Sequence, residues 1–170
     1  MSKSFGSVSP HQASVFISYS RRDGREFAHD LRAKLEAEGF SIWQDVVSET
    51  AFEGWWHNIV EAIEGSAVMV LVFTEGALRS QVVRDEWIHA RKVGTAIVPV
   101  LPRQDLLRQL DERGEKLVPR WLERLDLLIL DPAFADYAAH WQRLVDSLRN
   151  PPARRPVPFT VPALPGEFVH

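Results

Sequence analysis

The segment Ala67-Val-Met-Val-Leu-Val-Phe73 constrains this chain more than any other stretch of it. Both faces of a strand built from it are apolar, so both faces must be covered. That is the pattern of a central strand in a parallel sheet with helices on either side. The run is also far shorter than the roughly 20 residues a membrane-spanning helix requires.

The surrounding segments supply the rest of such a sheet. Ser14-Val-Phe-Ile-Ser18 reads as a buried first strand, and Phe40-Ser-Ile-Trp43 as a second. Between them Phe27, Leu31 and Leu35 recur at spacing four, an amphipathic helix that ends near Gly39. Trp55, Ile59 and Ile63 form another such stripe, closed by Gly65, and Val83, Trp87 and Ala90 line one side of a helix over 80–92. Ala96-Ile-Val-Pro-Val-Leu101 is a fourth strand. Pro99 cannot donate to a ladder, which predicts a position near an edge or a bulge. Residues 103–124 hold helix-like pieces, 125–130 a fifth strand, and 134–148 a last helix with Tyr137, Trp141, Leu144 and Leu148. Strand–helix alternation of this kind predicts parallel strands joined by right-handed crossovers, hence an α/β three-layer sandwich. Ligands of such sheets sit beyond the carboxyl ends of the strands, here the loops after Ser18, Trp43 and Phe73.

Composition divides the chain in three. Residues 1–13 are a polar leader, 14–149 carry all the hydrophobic periodicity, and 150–170 hold six of the eleven prolines. Proline at that density predicts an extended, linker-like tail. The absence of cysteine excludes a disulfide scaffold, a thiol nucleophile and a thiolate metal site, and fits a reducing cytoplasm. A net charge of −3 gives no electrostatic support for binding nucleic acid or an anionic membrane. Nor is there a signal peptide, so a soluble protein is expected. Phosphate-cradling glycine motifs, the G-x-S-x-G elbow and H-E-x-x-H are missing, and Glu86 with His89 lacks the second copy a carboxylate metal bundle needs. No metal site and no cofactor are expected.

Several motifs stand in a telling order. Val15-Phe-Ile-Ser-Tyr-Ser20 precedes Arg21-Arg22-Asp23; Trp43-Gln-Asp45 ends the second strand; Val46 to Glu53 leads to Gly54-Trp55; Ala62-Ile63 and Ser66 precede the apolar strand; and Ser80 stands six residues before Glu86-Trp87. Together these resemble the TIR (Toll/interleukin-1 receptor) domain family, of bacterial type, over residues 14–149. The resemblance implies a flavodoxin-like fold with a five-stranded parallel sheet. It also implies one of two functions, since some members cleave NAD+ at the nicotinamide–ribose bond and others only assemble with further TIR domains.

By resemblance, Glu86 occupies the position of the family's catalytic glutamate. One carboxylate suffices for that chemistry. The leaving group is a pyridinium that departs as neutral nicotinamide, so no acid need protonate it, in contrast to ordinary glycosides. A fixed negative charge then stabilises the oxocarbenium-like ribose. The alternative for Glu86, one of 23 acidic residues, is a solvated helix face. Tyr19, Ser20 and Arg21 are candidates to meet the substrate's pyrophosphate or adenine, or else cap an ordinary loop. Asp45 is a pocket-rim acid or a loop cap, and Trp43 a stacking wall or core packing. Trp56 sits one position off the Trp55 stripe. With Glu53 and Gly54 of the 45–54 segment, the family's BB loop, it is expected on a self-association surface, with burial by loop residues as the alternative. Val82 stands where family members often place an aromatic residue, which opens one wall of the implied nicotinamide pocket. The expectation is an NAD+ glycohydrolase that yields ADP-ribose or a cyclic isomer and is activated by self-association. It would act in the cytoplasm as the effector module of a bacterial immune or cell-death sensor, its downstream sensor domain following the tail. The competing expectation is a non-catalytic TIR–TIR adaptor. A phospho-acceptor receiver domain is excluded, because the loops after the first and third strands lack its acidic residues.

Overall fold

Each apolar run adopts the extended form its β-branched and aromatic residues favour. In the computed structural model, residues 14–44, 52–106, 108, 118–154 and 156 are described, residues 52–54 as backbone alone. The elements are β1 (Ser14–Ser18), α1 (Arg25–Ala37), β2 (Ser41–Gln44), α2 (Phe52–Gly65), β3 (Val68–Val72), α3 (Glu75–Arg79), α4 (Gln81–Val93), β4 (Ala96–Leu101), α5 (Arg120–Glu123), β5 (Leu128–Ile129) and α6 (Tyr137–Arg149). The strands form one five-stranded sheet in the order β2-β1-β3-β4-β5, and every pairing is parallel. Helices cover both faces, so the three-layer flavodoxin-like sandwich read from the sequence is the observed architecture.

The alternation of β1 decides which side chain meets which layer. Val15 and Ile17 pack with Leu31 and Leu35 of α1 and Leu144 and Leu148 of α6. Phe16 points the other way, to Ile59 and Ile63 of α2 and Ala90 of α4. β3 lies centrally and is buried along its whole length, as its two-sided apolarity requires. At roughly 1.5–3 kcal/mol for each large aliphatic side chain taken out of water, this strand is a main source of cohesion.

The structure departs from expectation at the second half of the sheet. β5 has two residues rather than the expected six. Its amide at Ile129 donates to Nδ1 of His140, 2.8 Å away, so α6 supplies a side-chain acceptor to this short edge strand. β4 is next to the edge and shows no bulge, pairing continuously with β3 from Ala96 to Val100. The Val100 carbonyl accepts from Phe73 on the β3 side and the Leu101 carbonyl accepts from Leu130 on the β5 side. By alternation Pro99 faces β5, whose pairing begins only at Val100, so no ladder bond is lost there. The short helix α3 was not legible in Thr74-Glu75-Gly76. Thr74 caps it, its Oγ1 accepting from the Ala77 amide at 3.1 Å. The described beginning of the proline-rich segment carries no helix or strand, and Arg154 donates to the carbonyls of Glu64 and Ser66 where α2 ends.

Candidate active site

α4 is built to hold a fixed rotation. Ser80 caps its start, with Oγ accepting from the Val83 amide at 3.2 Å. Its end is closed by Gly94 at φ 84°, where the Thr95 amide reaches the Ala90 carbonyl at 2.9 Å. That left-handed residue is one where glycine carries no Cβ penalty. Between these caps Val83, Glu86 and Ala90 form the buried stripe. Glu86 therefore lies on the inward side of the helix, not on a solvated face, and is only 2% exposed.

What it meets is the carboxyl end of β1. Ser18 alternates with Phe16 and so points to the same layer as α4. Its hydroxyl donates to Oε1 of Glu86 at 3.3 Å, and it is itself 1% exposed. A carboxylate buried between a helix and the carboxyl edge of a parallel sheet is where this architecture places ligand chemistry. A structural role would be served better by an apolar side chain, since removing an ion from water costs several kcal/mol.

The loops after β1 and β3 are clamped together beside it. Asp23 accepts from Thr74 Oγ1 at 2.7 Å through one oxygen and from the Gly76 amide at 2.8 Å through the other. A Cβ at residue 76 would lie 2.4 Å from Asp23 Oδ1 and 2.7 Å from Ser20 Oγ, so only glycine permits this approach. β1 and β3 flank the point where the strand order reverses, and the clamp sets the spacing of the two loops there.

The other sequence candidates are placed unevenly. Tyr19 packs on the α1–α6 layer, so its ring is on the opposite side of the sheet from Glu86. Ser20 is buried, its Oγ accepting from the Arg22 amide at 3.2 Å and its carbonyl from the Gly24 amide at 2.8 Å. Its hydroxyl thus shapes the turn. Arg21 is exposed at the loop surface. The Trp43 ring stacks on Phe16, 4.9 Å between centroids at 11°, in the layer that holds Glu86. Trp56 is half-buried with Trp55 against the Phe16–Ile59–Met69 cluster, so of the two expectations for it, an exposed ring or a partly buried one, the structure has partial burial, against the core rather than by loop residues. Val82 is 37% exposed. Asp45 lies outside the described residues, as does the 45–51 segment; Glu53 and Gly54 are described by their helical backbone alone. Among the described residues no group of three or more His, Asp or Glu could hold a metal ion, and His89 is turned to Glu64 of α2 at 3.0 Å. Among the described residues no helix is long and apolar enough to cross a membrane.

Ser18, the hydrogen-bond partner of the candidate carboxylate, is a residue that sequence reasoning did not single out. The signal was present in the alternation of Phe16 and Ser18 toward one layer, and in the Val83–Glu86–Ala90 spacing that turns the carboxylate toward it.

Comparison with known proteins bears on this arrangement. A family model described as TIR domain matches residues 15–145. The NAD(+) hydrolase sarm1 of Drosophila melanogaster is 32% identical over 100 residues, covering 53% of this chain and 7% of that protein. The uncharacterized protein y4cD of Sinorhizobium fredii is 28% identical over 146 residues, covering 81% of this chain and 22% of its own length. This chain thus spans under a quarter of either relative. Among solved structures, the TIR domain of the Toll-related receptor TRR-2 from Hydra magnipapillata superposes with a TM-score of 0.63 at 21% identity, over 80% of this chain and 98% of that one. That likeness concerns the fold. With the family match running from the first strand into the last helix, this chain belongs to the TIR domain family.

Proposed function

We propose that this domain cleaves NAD+ at the nicotinamide–ribose bond, with Glu86 as the catalytic carboxylate. The observation that carries the reading is the burial of Glu86 in the apolar stripe of α4, against Ser18 at the carboxyl edge of β1. In the reaction the bond between ribose C1′ and the pyridinium nitrogen breaks, and its electron pair stays on nicotinamide. The positive charge passes to an oxocarbenium-like ribose, which Glu86 stabilises electrostatically. Water captures it to give ADP-ribose and releases a proton, or the adenine ring captures it to give a cyclic isomer. A preorganised group of this kind lowers the barrier by on the order of 3–4 kcal/mol. The likeness to sarm1, named a NAD(+) hydrolase, supports the substrate.

The active form is a self-association of TIR domains through the 45–54 segment, with Trp56 at its border. It acts in the cytoplasm as the effector module of a longer sensor protein, a reading supported by relatives that carry the matched region within much longer chains. The bacterial setting is supported by y4cD, which matches over 81% of the chain. The exposure of Val82 favours a second reading, a non-catalytic adaptor whose pocket lacks an aromatic wall. Nicotinamide release, followed by chromatography at rising protein concentration, separates the two. Release that climbs faster than linearly and vanishes in Glu86→Gln supports the enzyme. No release while light scattering reports assemblies supports the adaptor.

A further inference from the structure

We propose that Ser18 is a positioning residue for Glu86: its hydroxyl holds one carboxylate oxygen and favours the ionised form of the side chain. The reaction it serves is the NAD+ cleavage proposed above, while the contact itself stands on geometry.

Both partners are buried, 1% and 2% exposed, with Oγ and Oε1 3.3 Å apart. An ionised carboxylate can only accept, so Ser18 is the donor. Both are also anchored by their elements. Ser18 is in register with Leu71 of β3, and β1 is paired on its other edge with β2. α4 is capped at both ends by Ser80 and Gly94. The hydroxyl can therefore adjust only about its own side-chain torsion. At 3.3 Å the bond is longer than a tight O–H···O contact, so it has room to shorten as charge develops opposite the carboxylate.

Two charged groups of the adjoining segments are engaged elsewhere. Asp23 is held by Thr74 and Gly76, and His89, one turn along α4, by Glu64 of α2. A hydrogen bond to the charged form favours that form, and removing the donor while leaving the acceptor buried shifts the balance toward the protonated acid.

The experiment follows the Glu86 side-chain carboxyl by ¹³C NMR across a pH titration, with Glu86→Gln assigning the signal, in wild type, Ser18→Ala and Ser18→Thr. Nicotinamide release is measured on the same samples, and thermal melts confirm folding. In Ser18→Ala the titration midpoint should move to higher pH. Where release is measured, kcat should fall by on the order of ten-fold with KM within about two-fold, the loss of one charge-assisted hydrogen bond. Ser18→Thr, which keeps the hydroxyl, should return both toward wild type. An unchanged midpoint in Ser18→Ala, or equal losses in the alanine and threonine variants, overturns the proposal. A moved midpoint in a wild-type protein that releases no nicotinamide keeps Ser18 and removes the NAD+ reading. An unmoved midpoint with normal release does the reverse.

Discussion

Glu86 occupies a helix position between Val83 and Ala90 where packing alone would select an apolar side chain, and the replacement Glu86→Gln can be worked through from that placement. An ionised carboxylate removed from water carries a penalty of several kcal/mol, against which a hydrogen bond to a charged group returns about 1.5–3 kcal/mol. A buried amide carries about 1–3 kcal/mol and keeps a neutral bond to Ser18 worth about 1 kcal/mol. The variant is therefore expected to be as stable as the parent or up to about 2 kcal/mol more stable. For a chain of this size each kcal/mol moves Tm by about 2–4 °C, so the midpoint should rise by up to roughly 8 °C. Circular dichroism melts and urea titrations at neutral pH read this directly, and nicotinamide release on the same sample should be lost. A loss of stability above about 2 kcal/mol, with its unfolding slope unchanged, would refute the reasoning. It would make the carboxylate a structural partner rather than a charge held in place for chemistry.

Further expectations concern the frame around the site. Asp23→Ala should lower stability by about 1–3 kcal/mol, the loss of two hydrogen bonds to a charged group at a partly exposed position. Gly76→Ala should also be destabilising, and less so in an Asp23→Ala background, because its Cβ would collide with the Asp23 carboxylate; urea midpoints of the single and double variants measure that coupling. Asp131 is held below the usual carboxylate range, first by the Ala133 amide and then by the Gln104 amide. Its folded form binds protons less readily than the unfolded chain, so its stabilisation is complete above about pH 4 and disappears as pH falls through the folded value. The stability difference between wild type and Asp131→Ala, followed by urea midpoints from pH 6 downward, should shrink below about pH 4. His140→Leu should lower stability by about 1–3 kcal/mol and raise amide exchange at Ile129, whose acceptor it removes.

Much of the fold was legible in the chain because its signals are local. Two-sided apolarity at 68–72 gave the central strand, four-residue spacing gave the helices, and Gly39 and Gly94 marked helix ends. Thr74-Glu75-Gly76 hid a helix because a one-turn element has no period to read, and its cap depends on Asp23, 51 residues away. β5 shrank to two residues because its extent is set by what β4 and α6 offer it, a matter of tertiary contacts rather than of its own residues. The site was legible only in its carboxylate. Glu86 stood out through a motif, whereas Ser18 could not, since a serine at a strand end is ordinary until the facing helix is known.

The sequence by itself determined the architecture and the family and singled out Glu86 as the candidate acidic residue, because each rests on short-range pattern or ordered spacing. Tertiary structure alone decided that Glu86 faces inward, that Ser18 meets it and that Tyr19 turns to the other layer. It also decided that Asp23 clamps two loops distant in the chain. The reason is geometric: alternation and helical phase tell which residues share a face, but only packing tells which two faces meet.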